Sequence, residues 1–226
     1  MATLWVVATP IGNLDDMTFR GVETLRNADL VVCEDTRQTQ KLLAHFEISS
    51  PSTTFHAHTV DRRLAHLVAR IGSLERVALV TDAGTPGVSD PGAALVQACV
   101  GAGIDVRPVP GVSALTALLS VAGPLGRTVL FDGFPSPKAG RRRRRIRELC
   151  ERGEPYVFYE SPHRIVKLLH DIEREHPGAD VVVGREMTKV FEEFFRGGAS
   201  EIADILNSRG RIRGELAVLV RTAENR

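Results

Sequence analysis

The chain has 226 residues, 43% apolar and 25% charged, which fits one large or two small buried cores and excludes a wholly disordered, collagenous or coiled-coil protein. A formal net charge of +1 means that polyanion binding must come from a local patch, and aromatics at 5% leave little for rows of stacking platforms. Cys33, Cys99 and Cys150 form no CxxC motif, no apolar run approaches the roughly 20 residues that cross a bilayer, and residues 1–13 lack a secretion leader, so a cytoplasmic protein with free thiols is expected.

Short β-branched runs alternate with longer amphipathic stretches. Residues 4–8 form a strand-type run, 19–28 a helix, and 29–33 a second strand. Residues 36–46 are helical again. Residues 62–71 place Leu64, Leu67, Val68 and Ile71 on one helix face, and 76–81 form a buried-type strand. Asp90-Pro91 reads as an N-cap followed by proline at the first helical position, opening a helix toward Gly101 and Gly103. A small-residue helix, 113–121, suits core or a dimer interface. Strands are expected at 128–131, 156–159, 181–183 and 216–220, with a second cap-then-proline at Ser161-Pro162 before a helix through Leu169. Residues 181–197 hold two extended stretches with little room for a helix between them, so the second half looks more antiparallel. The fold class is α/β, with two α/β domains, 1–122 and 123–226, broken at the Gly- and Pro-rich stretch 122–126.

Four turns follow strands in the first half, at 9–14, 33–37, 81–92 and 109–114, and all but 33–37 carry glycine and proline. In a parallel sheet such turns share the edge at the strands' carboxyl ends, where ligands bind. Glycine lets a backbone approach a ligand, and proline stiffens the turn. Neither GxGxxG after the first strand nor GxxxxGK[ST] occurs, which disfavours an NAD enzyme or a P-loop ATPase. A ligand without a phosphate chain suits these loops.

Several segments, in order, resemble one family. They are Ala-Thr-Pro-Ile-Gly-Asn-Leu at 8–14, Cys-Glu-Asp-Thr-Arg at 33–37, Thr-Asp-Ala-Gly-Thr-Pro at 81–86 and Ser-Asp-Pro-Gly at 89–92. Pro-Gly-Val-Ser-Ala at 110–114, Tyr-Glu-Ser-Pro-His-Arg at 159–164 and Gly-Arg-Glu-Met-Thr-Lys at 184–189 complete them. Together they are similar to the small-subunit ribosomal RNA cytidine-2′-O-methyltransferases, within the tetrapyrrole methylase superfamily. The resemblance implies a two-domain homodimer of tetrapyrrole-methylase type. It would hold S-adenosylmethionine in a cleft between the domains and methylate a ribose 2′-hydroxyl in the decoding region of the RNA, within the assembled subunit. Gly-Thr-Pro at 84–86 stands where tetrapyrrole enzymes carry Gly-Asp-Pro, and Gly87-Val88 where a bulky aliphatic pair is usual. Longer relatives carry a further C-terminal helical segment beyond the point matching Arg226.

On this resemblance the donor pocket is expected to use Pro10, Ile11 and Gly12, then Asp82, Ala83, Gly84, Thr85 and Val88, then Ser113 and Ala114. A ribose hydroxyl is weakly acidic, so a base or a cation should assist its deprotonation. Glu160, Lys189 and Asp35 are the catalytic candidates, with Glu186 and Arg37 beside them. Each of these charges could equally be a solvated or ion-paired side chain. Arg37, His58, Arg185 and the dense run Arg141, Arg142, Arg143, Arg144 are candidates for substrate contact. Consecutive arginines splay around a helix, so this run could also be a solvated surface. His56-Ala57-His58 lacks a third ligand nearby, and no metal is expected. Residues 131–137 look like a hinge or lid. Two other readings remain open: a precorrin-type tetrapyrrole C-methyltransferase, and a non-catalytic ribosome-binding module on the same fold.

Overall fold

The structure is a computed structural model and describes residues 1–56 and 61–221. It divides into two compact units, Met1–Ser113 and Ala114–Arg226.

In the first unit the strands are β1 (Thr3–Val7), β2 (Leu30–Cys33), β3 (Ser52–Thr54), β4 (Arg76–Leu79) and β5 (Asp105–Val109). They form one sheet in the order β3-β2-β4-β1-β5, with every pairing parallel. Helices α1 (Phe19–Arg26), α2 (Thr36–His45), α3 (Asp61–Gly72) and α4 (Gly92–Gly101) connect them. Strand residues alternate between the two faces. Leu30, Val32, Val77 and Leu79 pack with Leu67, Ile71, Leu95 and Cys99 on one side. Val31, Cys33, Ala78 and Val80 pack with Leu25, Leu42 and Leu43 on the other. Both faces are therefore covered, as the uninterrupted apolar runs require. Each fully buried leucine or valine contributes about 1.5–3 kcal/mol.

The second unit contains α5 (Ala114–Ser120), β6 (Leu130–Gly133), α6 (Ala139–Glu151), β7 (Tyr156–Glu160) and α7 (Ile165–Glu175). It continues through β8 (Asp180–Arg185), β9 (Glu193–Gly198), α8 (Ala199–Ser208) and β10 (Leu216–Arg221). The sheet order is β6-β7-β10-β8-β9, parallel only between β6 and β7. Tyr156, Phe158, Val181, Val183, Val218 and Val220 meet Ile146, Leu149, Leu168, Leu169, Ile202 and Leu206 of the three long helices. Helix α5 groups with this unit and packs on β10.

Several local expectations change. Proline 91 takes the cap position of α4 instead of the first helical position, and the Asp90 carboxylate accepts the Gly87 and Gly92 N–H groups at 2.8 and 2.7 Å. Helix α7 begins at Ile165, because residues 162–164 form a turn in which the Ser161 carbonyl accepts the Arg164 and Ile165 N–H groups. The segment read as a hinge is partly strand β6, and the Phe131 and Phe134 rings pack edge-on against Tyr159. Strand β3 and helix α8 were not foreseen: β3 is three residues long and α8 follows a strand with no break.

Candidate active site

Strands β4, β1 and β5 are neighbours and parallel, so their carboxyl ends bring three bends to one edge. The bends are tied together. Thr9 N–H donates to the Gly84 carbonyl at 2.9 Å, and Gly84 N–H donates to the Thr9 carbonyl at 3.0 Å. The buried Thr9 hydroxyl donates to the Thr81 carbonyl at 3.2 Å. The Thr85 hydroxyl donates to the Val112 carbonyl at 3.0 Å, and Ala8 N–H donates to the Val109 carbonyl at 3.1 Å.

Glycine is required at two points of this rim. Gly84 has φ +83°, and a Cβ there would meet Ile11 Cγ2 at 3.4 Å. A Cβ on Gly111 would meet the Ala8 methyl at 3.1 Å. Pro10 and Ile11 are buried, Gly12, Asp82 and Ala83 are exposed, and Thr85, Val88 and Ser113 are half-buried. Ser113 ends the first unit and Ala114 opens α5 in the second.

The donor set suits S-adenosylmethionine. Ile11, Val88 and Val112 offer apolar surface for an aromatic base, backbone groups are at hand for hydrogen bonds, and Asp82 supplies one carboxylate. No lysine or arginine lies in residues 8–13, 80–91 or 109–113, so nothing there repels a sulfonium. The positive φ of Gly84 and the close Ala8 methyl at Gly111 disfavour side chains at these two points of the rim.

Beside the rim, at the ends of β2 and β4, lies an acidic group. Asp35 N–H donates to Asp82 Oδ1 at 3.1 Å. The Asp35 carboxylate caps α2 by accepting Arg37 N–H at 2.8 Å and takes two further bonds from the Arg37 guanidinium. Those bonds hold its pKa below the ordinary value. Burial, followed by the Asp82 and Asp90 charges, raises Glu34; burial also leads the upward shift of Asp82. Cys33, Glu34, Phe55, Thr81 and Asp90 line a small pocket here. Among the described residues no group of three His, Cys, Asp or Glu side chains is arranged to hold a metal ion. His58 lies outside the described residues.

In the second unit Glu160 ends β7 with its side chain fully buried. Its Oε1 accepts Ser161 N–H at 2.7 Å and pairs with Arg164 at 2.6 Å, while Oε2 has no hydrogen-bond partner among the described residues. Lys189 Nζ donates to Glu186 at 2.8 Å and to Glu215 at 3.1 Å. Burial works against its charge, but these two bonds outweigh burial and raise its pKa, so Lys189 is a fixed cation. Arg185 is committed to Glu193 and to the Arg213 carbonyl.

Helix α6 carries the arginine run, and its acids come from the same unit. Arg142 points inward, 5% exposed, with Nε donating to Asp171 at 2.7 Å. This burial removes Arg142 from the surface that could meet RNA. Arg143 is 4.0 Å from Asp171, Arg144 pairs with Glu148, Arg145 with Asp132 and Glu148, and Arg147 with Glu175. Arg141 is the one arginine of this helix with no ion pair among the described residues, and the Arg144 side chain is 77% exposed. Sequence reasoning missed this neutralisation, the Thr9–Gly84 bridge and the Glu160–Arg164 pair, which forms across the turn between β7 and α7.

The family model for tetrapyrrole (corrin/porphyrin) methylases matches residues 3–203. The chain belongs to the tetrapyrrole methylase family. A Synechocystis protein named ribosomal RNA small subunit methyltransferase I is 44% identical over 87% of this chain and 71% of its own length. Proteins of that name from Borrelia garinii subsp. bavariensis and Thermotoga maritima are each 40% identical, over 96% and 97% of this chain and 97% and 98% of theirs. Among solved structures, the methyltransferase CobJ superposes with TM-score 0.72 at 21% identity, covering 99% of this chain and 95% of that one. Uroporphyrin-III C-methyltransferase from Thermus thermophilus, complexed with S-adenosylhomocysteine, superposes with TM-score 0.66 at 18% identity, covering 97% of each chain. These structural likenesses establish the two-sheet α/β fold of the family. S-adenosylmethionine is the methyl donor of this tetrapyrrole methylase. Among the described residues no helix is long and apolar enough to cross a membrane.

Proposed function

We propose that this tetrapyrrole methylase transfers a methyl group from S-adenosylmethionine to the 2′-hydroxyl of a cytidine ribose in the decoding region of small-subunit ribosomal RNA. It would act on the assembled subunit, in the cytoplasm, as a homodimer. The observation that carries this reading is the likeness, over nearly the whole chain, to proteins named ribosomal RNA small subunit methyltransferase I. The neighbours among precorrin and uroporphyrin enzymes are too distant in sequence to argue for a tetrapyrrole substrate.

S-adenosylmethionine supplies a methyl group on a sulfonium that is already a good leaving group. The protein's work is to align the ribose oxygen behind that methyl group and to exclude water. Pro10, Ile11, Gly12, Asp82, Ala83, Gly84, Thr85, Val88, Ser113 and Ala114 would hold the donor, with Asp82 facing its positive groups. Glu160 would take the hydroxyl proton through Oε2, which is buried and has no hydrogen-bond partner among the described residues, once the ribose is brought against it, because Oε1 is already held by Ser161 and Arg164. Lys189 would stabilise developing negative charge on the oxygen as a permanent cation. Asp35, tied to Arg37 and lowered in pKa, is a poor proton acceptor. Arg37, Arg141, Arg143 and Arg144 would contact phosphates.

The test is transfer of labelled methyl to isolated small ribosomal subunits, to naked ribosomal RNA and to a porphyrinogen. Label in ribosomal RNA, at a cytidine linkage made resistant to alkaline hydrolysis, is expected. Label only in the porphyrinogen, or none in any acceptor, overturns the reading.

A further inference from the structure

We infer that the paired loops 186–192 and 209–215 form a single-stranded RNA grip, in which Phe191 stacks on an unpaired base and Arg211 and Arg213 hold the adjoining phosphates. This inference rests on the ribosomal RNA reading above.

The first loop joins β8 to β9 and is strained. Glu186 and Thr188 have φ of 50° and 68°, in the left-handed region that a β-branched residue such as threonine strongly disfavours. The Thr188 hydroxyl is buried without a hydrogen-bond partner among the described residues. Several bonds hold the loop in this shape. Glu186 N–H donates to the Glu215 carbonyl at 2.9 Å, and Glu215 N–H donates to Glu186 Oε1 at 3.0 Å. Lys189 bridges Glu186 and Glu215, and Thr188 N–H donates to the Glu192 carboxylate at 2.6 Å. The second loop lies directly against the first: Arg185 Nε donates to the Arg213 carbonyl at 2.9 Å, and a Cβ on Gly214, at φ +93°, would collide with the Glu186 side chain.

This bracing presents Val190, 94% exposed, and Phe191, 70% exposed, to solvent at the tip. A rigid mount that turns two large apolar side chains outward calls for an occupant. The charges beside them indicate its chemistry. The carboxylates of Glu186, Glu192, Glu193 and Glu215 are each engaged within the unit. Arg211 and Arg213 are exposed and have no ion pair among the described residues. Two adjacent apolar side chains supply far less than the roughly 800 Å² per partner of a stable protein interface. An exposed aromatic side chain on a loop bonded to one that carries unpaired arginines instead matches how proteins hold unpaired nucleotides.

The experiment measures binding of an unpaired ribosomal RNA fragment to the full chain across a range of salt, with donor binding followed by calorimetry. Phe191→Ala should weaken RNA binding about 5-fold to 150-fold, with donor binding unchanged, and Phe191→Trp should restore it. The double change Arg211→Glu and Arg213→Glu should weaken binding and flatten the salt dependence by about 1.4 in log–log slope. RNA affinity in these variants equal to that of the wild type overturns the inference. So does Phe191→Ala converting a dimer to monomers that bind RNA as before, because the tip would then be a contact between copies. A wild-type protein that binds no RNA, naked or in the subunit, overturns the functional reading, and this inference with it.

Discussion

Thr9 and Gly84 hold one another through two reciprocal backbone hydrogen bonds, joining bends that follow two neighbouring strands. The bridge works only with Gly84 at its positive φ, and Ile11 already lies against the space a side chain would enter. Gly84→Val should therefore destabilise the fold by about 1–3 kcal/mol and abolish donor binding on calorimetry. Thr9→Val should cost about 1–3 kcal/mol, because it removes a buried hydroxyl donor. Donor affinity equal to that of the wild type in Gly84→Val would place the site elsewhere.

Most of the sheet was legible because its information is local. Runs such as Leu30-Val31-Val32-Cys33 bury every residue, which requires a strand covered on both faces. The same logic found the turns at 9–14, 81–92 and 109–114, which glycine and proline mark directly. The contacts that turn these bends into a rim were not legible. Thr9 and Gly84 are far apart in sequence, and their bond depends on β1 lying beside β4. Nor could six arginines in seven residues show which one faces Asp171, because that depends on how α6 packs on α7. The cap readings at Pro91 and Ser161 failed for a local reason: the competing bonds of Asp90 and Arg164 were invisible in a propensity argument.

Arg142 and Arg144 lie in one run and should behave as opposites. Arg142 is buried against Asp171, so Arg142→Ala strands a largely buried carboxylate and should cost about 3–5 kcal/mol in chemical denaturation. Arg144 is exposed and pairs only with Glu148, so Arg144→Ala should change stability by less than about 1 kcal/mol. Charge reversal at Arg141 and Arg144 together should lower RNA affinity and its salt dependence without unfolding the protein. Equal stability losses at Arg142 and Arg144 would contradict the inward position of the first.

Glu34 supplies a pH-dependent penalty. Burial and the facing Asp82 and Asp90 charges raise its folded-state pKa, with His56 and Thr81 opposing them. A carboxyl group raised in the folded state contributes stability that is full below its unfolded pKa and lost as pH rises through the folded value. Glu34→Gln should therefore match the wild type near pH 4 and exceed it in stability near pH 8. Denaturation midpoints at the two pH values check this. A variant less stable than the wild type near pH 8 would show that the Glu34 charge is favourable in the folded state.

The Glu160–Arg164 pair separates holding from reacting. Glu160→Gln keeps an oxygen for Ser161 N–H but loses the charge on Arg164, so a cost of about 1–3 kcal/mol in stability is expected. If Oε2 takes the ribose proton, turnover should fall by about 100-fold or more at saturating donor and RNA, with donor affinity unchanged. Arg164→Lys loosens the pair while leaving the carboxylate in place, and its turnover should fall by less than about tenfold. Both variants weaken the pair but only Glu160→Gln removes the carboxylate, so a larger loss of turnover in that variant reports the proton acceptor. Equal turnover in both would assign Glu160 to holding the end of β7, and the deprotonation to another group.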